Sequence, residues 1–578
     1  MSNIFTVAES GALKAKSRYP RRPFRYADSI TFGKCYPVLV DFMMAGDVYK
    51  MSYDMLVRLM PMKAPLLNNI NARIRFGYVP IRLIENNAEF AITGSKDGKF
   101  DASVTVPDLQ NIWQWIKDCR SAHSLSTTDN TVFYVDKDSL LHKLGMDTGS
   151  FKFGNVKNNK STLAAWVVKA YCRFWWDYYR DENLFTGIPV NGSIVSNSNS
   201  DFDIFVRAVG ASLLSTTSGV ASLSSFPVFR KKDYLTSALP WQLKGVAPRI
   251  DLDIGFNGAI TNTAGSAEER LYINTGNGSD TVQILSSASA TQAANASQHF
   301  NNFMNAGLSA GTVGITAEQI REVMAETRIM ERLARTGSRY TEYLRANFGI
   351  SPADGTLQRS QYLGGGKMPV IISEVLQTAG AENESQQQLP VGTMRGHGIT
   401  RGGNSVSTFV SKEFGVLVAF VDLMPQTIYS QGVPRRLTYT NRWDFFNPSF
   451  QHLSEQTIRK GEVMYRNVAD NNTDSAGNID NNDTDWGFTG IYNELRVGDT
   501  KVRGDLIDNL SYWSQAIMWT SFPELNEAFI RFQSADYTRP FAVTDESLAK
   551  PAILDIVVNC DSYRPMIKYA TPGLNDHF

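Results

Sequence analysis

The chain has 578 residues, too many for one ordinary hydrophobic core, since single cores stop growing near ~250–300 residues. It is therefore either several domains or one domain with large insertions. Lysine plus arginine and aspartate plus glutamate both total 57, so the formal net charge is zero; this excludes a protein basic over its whole surface and leaves local patches open. Four scattered cysteines (Cys35, Cys119, Cys172, Cys560) with no C-x-x-C pair exclude a disulfide scaffold and a zinc ribbon and fit reduced thiols. There is no apolar signal segment near Met1 and no run of the ~20 apolar residues that span a bilayer, so a soluble product is expected.

Residues 1–28 differ from the rest. Lys14, Lys16, Arg18, Arg21, Arg22 and Arg25 are opposed only by Glu9 and Asp28, with Tyr19, Phe24 and Tyr26 interleaved. Pro20 and Pro23 forbid a regular helix. The stretch reads as an extended basic arm, suited to phosphate contacts by charge and to base stacking by its aromatic rings. The six cations are the candidate DNA-binding residues; a solvated terminus is the plainer alternative.

Strands follow. Pro37 to Phe42 is one, ending in the turn Ala45-Gly46-Asp47. Met51, Tyr53, Met55, Val57 and Leu59 alternate with polar residues, and so do Ile70, Ala72, Ile74, Phe76 and Tyr78. Such period-2 alternation marks antiparallel strands buried on one face. Residues 85–160 lose the rhythm and read as a long insertion. Ser161 to Arg180 predicts a helix with a Ser/Thr cap and many aromatic residues, for which burial in a core or subunit contact outweighs a base-stacking platform.

From about 250 to 315 the chain is polar, rich in Gly, Asn, Ser and Ala, and nearly free of Lys and Arg: a second insertion. Thr316-x-x-Gln319 then caps a predicted helix running to about Phe348, with Gly349 as its stop. Gly364-Gly365-Gly366-Lys367 reads as a turn before a strand at Met368 to Ile372. Val406 to Ser411 and the run F-G-V-L-V-A-F-V-D-L-M from Phe414 to Met424 predict two more strands, the second buried on both faces and stopped by Pro425. Residues 463–500 hold a third insertion, and Leu554, Ile556, Val558 and Cys560 alternate in a last strand. With no internal repeat and strands at both ends and the middle, the pattern predicts one all-β body with helical insertions, a sandwich or jelly roll, over residues 29–578.

No catalytic, cofactor or metal constellation stands up. Gly307-Leu-Ser309-Ala-Gly311 matches a nucleophile elbow but lacks the strand before and the helix directly after. The glycine run at 364–366 has Met368 where a phosphate loop needs Ser or Thr. Asp470, Asn472 and Asp474 open like a calcium loop, yet Asn481 occupies the twelfth position. Asp251 and Asp253 share a strand face without a partner. An enzyme is not expected.

Several segments carry a family resemblance. These are the opening M-S-N-I-F with A-E-S-G, Arg180 to Leu184, Asp233-Tyr-Leu-Thr-Ser-Ala-Leu-Pro-Trp241, and Glu331 to Tyr340. Ser351-Pro-Ala-Asp-Gly355, Tyr362-Leu-Gly-Gly365, Arg564-Pro-Met566 and Thr571 to Phe578 complete the set. In this order they resemble the major capsid protein of the Microviridae, single-stranded-DNA bacteriophages, in the gokushovirus-type branch. Ser360-Gln361, where the family carries Pro-Glu, and the Asn/Asp-rich stretch 469–485 depart from it. The resemblance implies an eight-stranded antiparallel jelly roll and a T=1 icosahedral shell of sixty copies around circular single-stranded DNA. It implies partners: internal scaffolding, DNA pilot and small DNA-binding proteins, and a host surface receptor. It implies a virion protein assembled in the bacterial cytoplasm, with residues 250–315 as a threefold protrusion contributing to attachment. A carbohydrate-binding or glycan-cleaving β-sandwich is the competing class; a cleaving one needs two carboxylates ~5–9 Å apart across a groove.

Overall fold

The structure, a computed structural model, describes residues 17–85, 132–152, 163–185, 224–245, 317–376 except 338, 394–466 and 482–566. It also describes the short pieces 112–113, 115–116, 260–262, 270–274, 279–283, 381–382 and 388–389, and residues 88, 92 and 248. The chain divides into two compact units, one of Met1–Gln242 with Gly337–Phe578 and one of Leu243–Thr336.

The first unit is built on one curled, antiparallel sheet of eight strands. They are β1 (Ser17–Ile30), β2 (Tyr36–Met43), β3 (Val48–Leu59), β4 (Ile70–Pro80), β5 (Gln361–Leu376), β6 (Met394–Val410), β7 (Gly415–Pro425) and β8 (Ala552–Arg564). Their order across the sheet is β1-β8-β3-β6-β5-β4-β7-β2. Curling brings the two outer strands together, and Arg22 of β1 reaches Asp41 of β2 at 2.8 Å.

The alternating strands behave as their pattern requires. Met51, Tyr53, Met55, Val57 and Leu59 of β3 and Leu554, Ile556, Val558 and Cys560 of β8 enter one core inside the curl. Strand β7 differs because both its faces are covered. Leu417, Ala419, Val421 and Leu423 face the inner core, while Val416, Val418, Phe420 and Met424 enter a second core outside the sheet. All eleven residues of β7 are buried, as its run of apolar residues, broken only by Asp422, predicts.

The second core is roofed by helix α1 (Ala165–Tyr178), where Tyr171, Phe174 and Trp175 are buried. Tyr171 and Phe174 pack on Phe420 with ring centroids 5.1 Å apart in each pair. A Cβ on Gly77 of β4 would lie 1.9 Å from the Phe174 ring, so glycine there is what lets the helix approach. The polar face of β4 is thus under the helix and not bare: Arg73 pairs at 2.7 Å with fully buried Asp422, and Arg75 lies over Tyr179.

Two expectations are corrected. The glycine run 364–366 is no turn but lies inside β5; a Cβ at Gly366 would meet the Tyr53 hydroxyl at 1.8 Å, so close packing across the core selects glycine there. The long helix expected to Phe348 is two, α2 (Ala317–Thr336) and α3 (Tyr340–Phe348). Between them Gly337 takes φ +93°, outside the helical region, and α3 ends on Gly349 at φ +69°, the stop its sequence indicated.

The unit Leu243–Thr336 contains α2 and a three-stranded antiparallel sheet, Ile260–Asn262, Arg270–Asn274 and Ser279–Gln283. The Gly307–Gly311 motif, Asp251 with Asp253, and the Asp470–Asn481 segment lie outside the described residues, as does most of 85–131.

Candidate nucleic-acid and assembly surfaces

The six candidate cations do not form one free arm. Residues from Ser17 onward are edge strand β1, in register with β8 from Ser17 opposite Arg564 to Ile30 opposite Ala552. Pro20 and Pro23 are tolerated there because an edge strand need donate to one neighbour only. The register shifts between Tyr19 and Arg22, which places Pro20 and Arg21 in an irregularity. The basic signal masked the strand, since its apolar residues are few; the interleaving of Tyr19, Phe24 and Tyr26 was the available clue.

Three cations have carboxylate partners. Arg25 makes a two-pronged contact with Asp555 at 3.0 and 3.1 Å, and Arg18 lies 3.5 Å from Asp561. Both pairs are exposed and contribute little stability. Arg22 is held more firmly, donating at 2.8 Å to both Asp41 and the Tyr49 hydroxyl. Arg564 joins this knot at 3.5 Å from Asp47 and 3.7 Å from Asp41. Asp47 is fully buried, and desolvation raises its pKa despite the backbone N–H of Met44 and the two guanidiniums. Lys14 and Lys16 lie outside the described residues, and so does the side chain of Arg21.

A second surface was not anticipated. The connection between β7 and β8 exposes Leu437, Trp443, Phe445, Phe446 and Leu453, each at least 49% accessible. The signal was present as R-W-D-F-F at 442–446, but an aromatic run reads equally as core until its burial is known. Contiguous apolar surface of this kind marks contact with another macromolecule. Among the described residues no group of three or more His, Cys, Asp or Glu side chains is placed to hold a metal.

A curled antiparallel sheet with long insertions, a basic edge and exposed aromatic surface defines a structural protein made to associate. Comparison with known proteins carries this further. The phage capsid protein (F protein) family matches residues 12–113 and 139–574, and the chain belongs to that family. It is similar to the capsid protein VP1 of Bdellovibrio phage phiMH2K, 25% identical over 96% of this chain and 95% of the relative. The VP1 capsid protein of Chlamydia phage 1 is also 25% identical, over 99% and 98%. That of Spiroplasma virus 4 is 26% identical over 70% and 72%. The chain is thus a structural coat protein of the Microviridae type, a virion component whose role is to build a shell.

Proposed function

We propose that the chain forms a T=1 icosahedral shell of sixty copies around a circular single-stranded DNA genome, with the eight-stranded sheet as a viral jelly roll. The observation that carries this reading is the strand order β1-β8-β3-β6-β5-β4-β7-β2 in a chain of the capsid family. Split between β6 and β5, the order gives two four-stranded halves in which consecutive strands, β4 and β5 excepted, fall in opposite halves, as in a jelly roll. Strand β1, the basic stretch, is the first of the eight. Assembly takes place in the bacterial cytoplasm with scaffolding, DNA pilot and small DNA-binding proteins, and residues 250–315 project outward and contribute to host attachment.

The basic end faces the genome. With Arg18, Arg22 and Arg25 engaged by carboxylates, Lys14, Lys16 and Arg21 carry the phosphate contacts. Three such contacts predict that affinity for single-stranded DNA falls roughly 20-fold between 50 and 200 mM salt, against roughly 300-fold for six. A salt titration of oligonucleotide binding by the full chain measures the slope. Replacing Lys14, Lys16 and Arg21 by Gln is expected to lower the DNA content of particles while leaving the sheet intact. Unchanged packaging, or a basic end found on the outer surface of particles by electron microscopy, overturns the assignment.

A further inference from the structure

The exposed aromatic surface of 437–453 has a complementary surface elsewhere on the same chain. Strand β5 pairs with β4 only up to Val370 opposite Ile70, and β6 pairs with β3 only from Ile399 opposite Arg58. Residues Ile371–Leu376 and Met394–Ile399 pair with each other as a two-stranded ribbon that runs past β3 and β4, its second strand also bridged at Gly396 to Met62. On it Ile371, Val375 and Leu376 are 51–68% exposed. Glu374 is exposed between them and has no basic partner among the described residues.

The aromatic surface is tied down by contacts within its own chain. Arg435 beneath it lies 3.6 Å from Glu462 and 4.0 Å from Glu494, and the Tyr439 hydroxyl donates to Glu494 at 2.8 Å. The Asp444 carboxylate accepts from the backbone N–H groups of Thr440 and Asn441, and Phe446 packs edge-on against Tyr492. A preorganised aromatic face loses little conformational entropy on binding. Its charges are matched internally as well: Arg436 with Asp499 and Arg459 with Asp483. Arg442 is the exception, lying over the Trp443 ring at 4.1 Å with no carboxylate partner among the described residues. One unmatched cation is a poor track for a nucleic-acid backbone, which takes several. It suits a single carboxylate in an apolar setting.

The ribbon and the segment that leads to the aromatic surface leave the same end of the sheet, because Pro425 and Val370 both sit opposite Ile70. Two different complementary patches on one chain suit a head-to-tail contact that closes around a rotation axis. We infer that the 437–453 aromatic surface of one copy docks on the β5–β6 ribbon of the adjacent copy, with Arg442 meeting Glu374. This rests on the shell reading and names one of its contacts.

The test is charge reversal in the full chain, expressed with the other proteins of its phage, with particle yield read by sedimentation and electron microscopy. Arg442→Glu alone and Glu374→Arg alone are each expected to lower the assembled fraction about tenfold or more, and the double reversal to restore most of it. Circular dichroism of each variant confirms that the sheet persists. Singles that assemble like wild type, or a double reversal that restores nothing, overturn the contact while leaving the shell reading standing. A wild-type chain that never assembles overturns both. If Trp443→Ala weakens oligonucleotide binding and leaves assembly unchanged, the surface is a nucleic-acid platform and the contact is wrong.

Discussion

Arg22 sits where the two outer strands of the sheet meet, and its role follows from what surrounds it. A guanidinium between Asp41 and the Tyr49 hydroxyl, with Arg564 nearby, ties β1 to β2 and β3. Arg22→Gln is expected to lower stability by about 1–2 kcal/mol, discounted for its one-third exposure, while changing the salt dependence of DNA binding little. Chemical denaturation and the salt titration together check this. Asp536 provides a pH prediction. Desolvation raises its pKa to about 6, although Arg539 at 3.6 Å opposes the shift. The unfolded chain ionises this carboxyl near pH 4. Folding is therefore progressively disfavoured as pH rises from about 4 to 6, and the deficit stays constant above that. Asp536→Asn is expected to stabilise the protein at pH 7.5 by about 1–2 kcal/mol and to show no difference from wild type below pH 4. Melting temperatures of both proteins at the two pH values decide it; a variant less stable at pH 7.5 contradicts the sign.

At the scale of elements, the contact between α1 and the sheet depends on a glycine facing an aromatic ring. Gly77→Ala would place a methyl 1.9 Å from Phe174, so the helix must shift; a loss of about 1–3 kcal/mol is expected. Phe174→Ala removes a fully buried ring and is expected to lower stability by about 3–5 kcal/mol. The two changes touch the same contact and should be non-additive, the double variant falling short of the sum. Additive losses in denaturant titrations would mean that the ring and the glycine act separately.

For the whole molecule the expectations concern assembly and the insertion. Shell formation requires buried area per copy well above the ~800 Å² of a standard interface side, spread over several contacts. A stable, monodisperse full chain at high concentration in the presence of its phage's other proteins would count against it. Replacing 255–312 by a short Gly/Ser linker is expected to spare the eight-stranded sheet and to reduce adsorption of particles to host cells. Normal adsorption of such particles removes the recognition role, and placement of the segment on the inner wall removes the assignment as a protrusion.

Strands β3, β4, β7 and β8 were legible in the sequence because each local pattern matches what covers it. Alternation records one buried face, and the nearly continuous apolar run at 415–425 records two. The motifs at 233–241 and 331–365 likewise carried the capsid family in linear order. Tertiary structure alone decided the rest. The basic stretch became strand β1 because its backbone pairs with β8, more than 500 residues away, from Ser17 opposite Arg564 to Ile30 opposite Ala552. Glycine is required at 366 inside the strand because Tyr53, far off in sequence, fills the space a side chain would take. Tyr171, Phe174 and Trp175 of α1 are buried while Trp443, Phe445 and Phe446 are exposed, although both runs look alike on paper. Composition records that a ring prefers to leave water, but only the folded arrangement of distant segments determines whether its own chain covers it or a partner must.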